Sequence, residues 1–282
     1  MIKWNPVRSV ANLWGQRDII YQFTRRYVQL GFRGSLLGFF WIILGPLLML
    51  GLYSFVFGII FKGSFAVHLE SGEIIHARGI EYALGIFLGL SILNLFTGVL
   101  GTCSSLIVNN PNFVKKVVFP LDILPVAQFG QLTFNLLINL ALSILGIAIL
   151  GPGIQQEWVW LPVIIIPLLL LGVGLAWFVS AIGVFVRDFG QLSPFIGSVL
   201  LYSSAVFYSA SIFQNDPQFA HFWPFLKWNP LLHGVDQLRQ VLMWGQEPNS
   251  YSILYLWVTG LVFLQLGNWI FWRLRDDFAD LI

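Results

Sequence analysis

The stretch Trp158–Val186, WVWLPVIIIPLLLLGVGLAWFVSAIGVFV, contains no Asp, Glu, Lys, Arg or His. About 20 apolar residues in a helix cross the hydrocarbon core of a bilayer, so a charge-free run of this length has lipid as its solvent. Backbone N–H and C=O groups find no water there, and a single helix satisfies them internally. Five other stretches have the same property: Leu36–Phe61, Tyr82–Val114, Ile123–Gln156, Phe189–Asn215 and Pro248–Trp272. Together they predict an all-α membrane protein with six spans, at about 37–61, 82–107, 123–150, 160–185, 191–213 and 250–272. The spans fill a transmembrane domain at 36–273, between an N-terminal segment at 1–35 and a tail at 274–282.

Whole-chain composition agrees. Only 10% of the 282 residues are charged and the mean hydropathy is +0.78, whereas a soluble domain carries about a quarter charged residues. A net charge of +2 offers no broad basic surface for nucleic acid. Cys103 is the lone cysteine, which excludes an intrachain disulfide. The first apolar run starts near Leu36, after a polar segment, and is too long for a signal-peptide core, so it reads as a permanent span.

Basic residues orient the chain. With the N-terminus inside, Lys3, Arg8, Arg17, Arg25, Arg26, Arg33, Lys115, Lys116, Arg187, Arg273 and Arg275 face the cytoplasm, and only Lys62, Arg78, Lys227 and Arg239 face outward. The positive-inside bias therefore places both termini in the cytoplasm. Ahead of the first span, Leu13, Ile20, Phe23, Tyr27 and Leu30 share one helical face, with Arg17, Arg25 and Arg26 elsewhere, which predicts an amphipathic helix lying in the interface. A solvated helical tail is the alternative. Between spans five and six, Phe219–Leu226 and Pro230–Trp244 read as short re-entrant helices dipping into the outer leaflet.

Catalytic motifs are sparse. There is no Gly-x-x-x-x-Gly-Lys-Ser/Thr loop, so the chain is not itself a P-loop ATPase. His68, His76, His221 and His233 lie in outside segments without metal-ligand spacing and read as scattered surface residues. No span carries a charge at mid-depth, where ion-coupled carriers place one, so uphill transport would draw its energy from a partner. The spans' polar groups are neutral. Gln128, Gln131, Asn135 and Asn139 share a face of span three, and Ser198, Tyr202 and Ser209 a face of span five. Both sets suit interhelical hydrogen bonding, and the second also suits a path for sugars, which present hydroxyls and apolar C–H faces. Tyr53, Phe57 and Phe61 form an aromatic stripe on span one, either packed or path-lining. Gly34-x-x-x-Gly38 and Gly85-x-x-x-Gly89 permit close helix contact, and Pro46 interrupts the ladder of span one.

Four segments in order resemble the membrane subunit of ABC transporters that export polysaccharides such as O-antigen, capsule or teichoic acid. They are Arg33-Gly-Ser-Leu-Leu-Gly38 running through Gly45-Pro46 to Tyr53-Ser-Phe-Val-Phe57; Asn110-Pro-Asn-Phe-Val-Lys-Lys-Val-Val-Phe-Pro120; Val184-Phe-Val-Arg-Asp188; and Trp228-Asn-Pro-Leu-Leu-His233 with Arg239 beyond. Gly45-Pro46 departs from the Asn-Pro expected there. The resemblance implies a homodimer in a bacterial inner membrane, with two cytoplasmic nucleotide-binding subunits that use ATP and magnesium, and no cofactor in this chain. It also implies a cytoplasmic loop that couples to the ATPase. Asn110, Pro111, Phe113, Lys115, Lys116, Phe119 and Pro120 are the candidates, an ordinary positive-inside loop being the other reading.

A lipid-linked polysaccharide carries a pyrophosphate at the inner headgroups, which Arg25, Arg26 and Arg33 are placed to meet; contact with anionic membrane lipid is the alternative. Tyr53, Phe57, Ser198, Tyr202 and Ser209 are candidate channel-lining residues, with O-antigen the preferred cargo. Phe222, Trp223 and Trp228 are candidates for an outer lid, or else an interfacial belt. Arg187 and Asp188 read as structural. Competing functions are a permease for a small molecule or drug, a membrane-embedded glycosyltransferase relying on Glu70, Glu73 and Glu81, and a non-transporting scaffold.

Overall fold

The computed structural model describes residues 13–68, 74–115, 119–215 and 217–282. Lys3, Arg8, Glu70, Glu73 and Lys116, all named above, lie outside these residues.

Helix α1 is Arg17–Leu30. The chain then turns through Gly34 and Gly38, whose φ angles of +84° and +50° are strained for residues with a Cβ. The expected helix-contact role of this glycine pair is thus corrected to a turn. The first span opens as a 3₁₀ turn, Gly38–Phe40, continues as α2, Trp41–Tyr53, through Pro46, and widens to π geometry over Ser54–Ile60. Next come α3 (Ile80–Cys103), α4 (Pro111–Lys115), α5 (Ile123–Leu150), α6 (Leu161–Phe185) and α7 (Phe189–Ser203). Short helices α8 (Ser211–Asn215) and α9 (Trp223–Leu226) precede α10 (Pro230–Met243), α11 (Ser250–Leu274) and α12 (Phe278–Leu281).

Among the described residues five helical stretches are long and apolar enough to cross a membrane: Gly38–Ile60, Ile80–Cys103, Ile123–Leu150, Gln156–Phe185 and Ser250–Leu281. They match expected spans one, two, three, four and six. Span five differs. Helix α7 has 15 residues, roughly 22 Å at 1.5 Å per residue, short of the ~30 Å hydrocarbon core. Beyond it the backbone leaves the helix until Ser211, with Ala205 at φ +53°. The expected loop at 62–81 is also more ordered than its reading. It holds an antiparallel hairpin, β1 Ser64–His68 with β2 Ile74–Arg78, in register Ser64 to Arg78. Phe65 and Ala77, which face each other, are both buried, a two-residue alternation too brief to stand out in the sequence.

Helix α3 is the axis of the core. Residues Tyr82 to Leu93 are buried without a break, against α5, α6, α7 and α10. Helices α6 and α11 pack backbone to backbone: a Cβ on Gly267 would lie 1.9 Å from the Gly174 carbonyl oxygen, so only glycine lets these backbones meet. The two ends of the bundle differ. One carries α1, α4 and α12; the other carries the hairpin and residues 204–249.

Candidate functional site

At the α1 end, Thr24 donates its hydroxyl to the Ala127 carbonyl at 3.2 Å, seating α1 on α5. Phe23 of α1 meets Phe113 at 5.6 Å and Phe119 at 5.3 Å, and those two rings lie 4.7 Å apart. The expected interfacial helix is therefore docked through an aromatic triad onto the loop between α3 and α5. Ile20, Phe23 and Tyr27 point inward as their spacing predicts, whereas Leu30 is exposed, because the helix ends there and the chain turns away. Within the loop, Phe113 and Phe119 are half-buried, Pro111 and Lys115 are exposed, and Asn110 donates its amide to the Leu106 carbonyl at 2.8 Å. Phe113 thus faces the bundle, leaving Pro111, Asn112 and Lys115 as outward groups.

The other side of α1 lines a cleft of about 860 Å³, shared with Phe39 at the start of the first span and Phe134 of α5. Arg25, Arg26 and Arg33 all line it. The single ion pair among the described residues is Arg275 with Asp276, so no carboxylate there neutralises these three guanidinium groups. Thr24 and Gln29 add neutral polar groups, and Phe32, Phe39 and Phe134 an apolar side. The arrangement suits an anion attached to a greasy chain.

At the hairpin end, a groove of about 830 Å³ runs along α7 onto the following short helices. It brings together Ser198 and Tyr202, expected on the path, with Phe222, expected in the lid, and adds Phe195 and Phe225. The other expected members go elsewhere. Ser209 is buried, its Oγ 2.8 Å from that of Ser211. Tyr53 and Phe57 are half-buried on the core side, with Phe57 stacked 5.3 Å from Phe207. Trp223 packs on Ala205, Ala210 and Leu232, and the Trp228 carbonyl accepts a bond from the Tyr255 hydroxyl at 2.6 Å. Phe222 is the one of the three lid residues that faces the groove.

The non-helical stretch after α7 is held by a side chain whose role the sequence did not disclose. Arg239 of α10, fully buried, donates to the carbonyls of Gly85, Ala205, Val206 and Tyr208 at 2.5–3.3 Å and lies 4.2 Å over the Phe65 ring. Gly89 makes room for it, since a Cβ there would stand 3.0 Å from the guanidinium, so the second glycine pair serves close contact as its spacing predicts. Tyr82 donates to the Phe207 carbonyl at 2.8 Å, and Asn229 reaches the hydroxyls of Ser203 and Ser204 at 2.9 and 3.1 Å. Buried carbonyls freed by the break are thereby paired, as a buried break requires. Burial pulls the Arg239 pKa down to about 10, against the opposing pull of Asp236. His233 is a correction: it is buried, with Nδ1 3.0 Å from the Ser252 hydroxyl and Nε2 2.9 Å from the Lys227 carbonyl, and burial lowers its pKa.

Residues 19–243 match the ABC-2 type transporter family. The chain belongs to that family. It is accordingly a multi-pass membrane protein and a transport subunit. Among curated relatives, the O-antigen export system permease protein RfbA of Klebsiella pneumoniae is 22% identical over 278 residues, covering 98% of this chain and 99% of the relative. A protein of the same name from Myxococcus xanthus is 23% identical over 280 residues, covering 98% and 100%. In this ABC-2 transporter Arg187 donates to the Leu281 carbonyl at 3.3 Å, tying the turn before α7 to the C-terminus, in keeping with a structural role.

Proposed function

We propose that this chain is the channel-forming permease subunit of an ATP-driven exporter that moves a lipid-linked polysaccharide, of O-antigen type, across a bacterial inner membrane. The reading draws on the names of relatives aligned over nearly the whole chain, and the arginine cleft is the feature of the fold that carries it. A pyrophosphate takes paired hydrogen bonds from guanidinium groups, and the cleft offers three of them beside an aromatic wall suited to the lipid's hydrocarbon.

In this reading the α1 end faces the cytoplasm with both termini, and two copies of the chain form the channel. Helix α7 with its non-helical extension and α8 makes the fifth of six crossings, and α9 and α10 are the re-entrant outer helices. Two nucleotide-binding subunits, which bind the ATP and magnesium, dock at Pro111, Lys115 and the remainder of the loop to Pro120. The Phe23–Phe113–Phe119 triad then gives a rigid link between that loop and the cleft, so a push on α4 reaches the arginines through α1. Ser198, Tyr202 and Phe222 line the outer half of the path.

The test is replacement of Arg25, Arg26 and Arg33 together by alanine in the assembled transporter. Export of lipid-linked glycan is expected to fall at least about tenfold, with membrane levels and co-purification of the nucleotide-binding subunit unchanged, since loss of charged hydrogen bonds costs about 1.5–3 kcal/mol each. Undiminished export would remove the arginines from the mechanism. Native co-purification yielding neither an ATPase subunit nor glycolipid would sink the whole reading.

A further inference from the structure

Helix α3 reaches the surface in a way the other long spans do not. After Ile80, its exposed residues are Asn94, Gly101 and Thr102, followed by Ser105 just past its end, with Thr97 and Gly98 half-buried between them. The spacing of three and four puts all of them on one face. Exposed positions on the first span are Leu47, Leu48, Leu52, Phe55 and Ile59, and on α11 Leu254, Val258, Leu261, Val262 and Leu266. Those two faces suit acyl chains; the α3 stripe does not.

Most of the stripe's hydroxyl groups are occupied by the chain itself. Thr97 donates to the Leu93 carbonyl at 3.1 Å, Thr102 to the Gly98 carbonyl at 2.7 Å, and Ser105 accepts from the Asn109 amide at 3.1 Å. The Asn94 side-chain amide, roughly 21 Å along the helix from Ile80, has no hydrogen-bond partner among the described residues. Facing lipid, an unpaired amide would cost several kcal/mol, so this face opens onto something that hydrogen-bonds. Beside it a crevice of about 440 Å³ separates α3 from α7, lined by Asn94, Thr97, Ser193 and Ser198. Ser198 also lines the aromatic groove, so the two hollows adjoin at this residue of α7.

We infer that Asn94 is a cargo-contacting residue: its amide hydrogen-bonds the hydroxyls of a glycan moving along the α3–α7 crevice, with Thr97 and Ser198 completing the polar wall. The inference rests on the polysaccharide-export reading. An amide offers two donors and a carbonyl acceptor, and a sugar hydroxyl both gives and accepts, so successive sugars can exchange at one side chain without a tight, sequence-specific site.

The experiment uses the full chain with its nucleotide-binding partner in native membranes. Asn94→Cys is treated with a charged, water-soluble methanethiosulfonate, with Leu52→Cys on the apolar face as control and the buried Cys103 as background. Asn94→Cys should label, Leu52→Cys should not, and labelling should slow at least threefold while glycan is being exported. In parallel, Asn94→Leu should lower export about three- to tenfold at equal protein level, the size of one lost hydrogen-bonding group, while Asn94→Gln keeps most of it. Three results would overturn the assignment: failure of Asn94→Cys to label, oxidative cross-linking of Asn94→Cys to a second copy without aqueous labelling, or normal export by Asn94→Leu. Deletion of the chain separates the two ideas. Export that persists without it refutes the export reading itself, whereas export lost on deletion but intact in Asn94→Leu refutes the Asn94 role alone.

Discussion

The first span, Gly38–Ile60, and α3, Ile80–Cys103, are alike in length, 23 and 24 residues, and both are strongly apolar in composition. Yet 6% of the most apolar stretch of the first is buried inside the chain, against 83% for α3. In water the hydrophobic effect would draw both inward. In lipid, tails are as apolar as leucine, so burial is decided by which backbones can approach and which polar groups need partners. Helix α3 has Gly85 and Gly89 against Phe65 and Arg239, and its N-terminal end supplies the Gly85 carbonyl and the Tyr82 hydroxyl to neighbours. The first span offers Leu47, Leu48, Met49 and Leu52, which suit lipid or a second copy equally. Glycines and partnered polar groups thus let α3 take the centre, where its large aliphatic residues are buried as well, while the first span keeps an aliphatic face on the outside.

Substitutions can break or sharpen that contrast. The largest effect is expected at Arg239→Met, which strips the carbonyls of Gly85, Ala205, Val206 and Tyr208 of their donor. Leaving buried acceptors unpaired costs about 1–3 kcal/mol apiece, and the sum is not additive, so a loss of about 3–5 kcal/mol is expected, read as a collapse of the detergent melting temperature. A smaller loss, about 1–3 kcal/mol, is expected for Gly89→Val, which overfills the contact between α3 and α10. Leu52→Ala on the first span should change the melting temperature least, by the equivalent of about 0.5 kcal/mol or less. Should Leu52→Ala instead match Gly89→Val, the first span would be covered by a second copy in the purified protein, and the contrast would belong to the single chain alone.

The apolar runs of the sequence determined that the chain lives in a membrane, and they located three long helices almost to the residue: 123–150, 160–185 and 250–272 against Ile123–Leu150, Leu161–Phe185 and Ser250–Leu274. The reason is that backbone satisfaction in lipid leaves a long charge-free run only one form. The placement of Arg25 and Arg26 was legible too, because an amphipathic helix must turn its charged side away from the aromatic face that docks it, whereas Arg33 lies past the helix end and reaches the cleft through the turn that follows. Only the tertiary structure decided where helix α7 stops. A run such as Phe189–Asn215 gives no local sign that distant Arg239, Tyr82 and Asn229 will satisfy its freed carbonyls and hydroxyls and so make a break affordable. The same holds for Phe113, which turns inward because Phe23, ninety positions earlier, fills its other side. Asn94 and Ser209 lie in comparably apolar runs; that Asn94 is exposed and Ser209 buried depends on the neighbours each segment meets, and no period along a single helix records that.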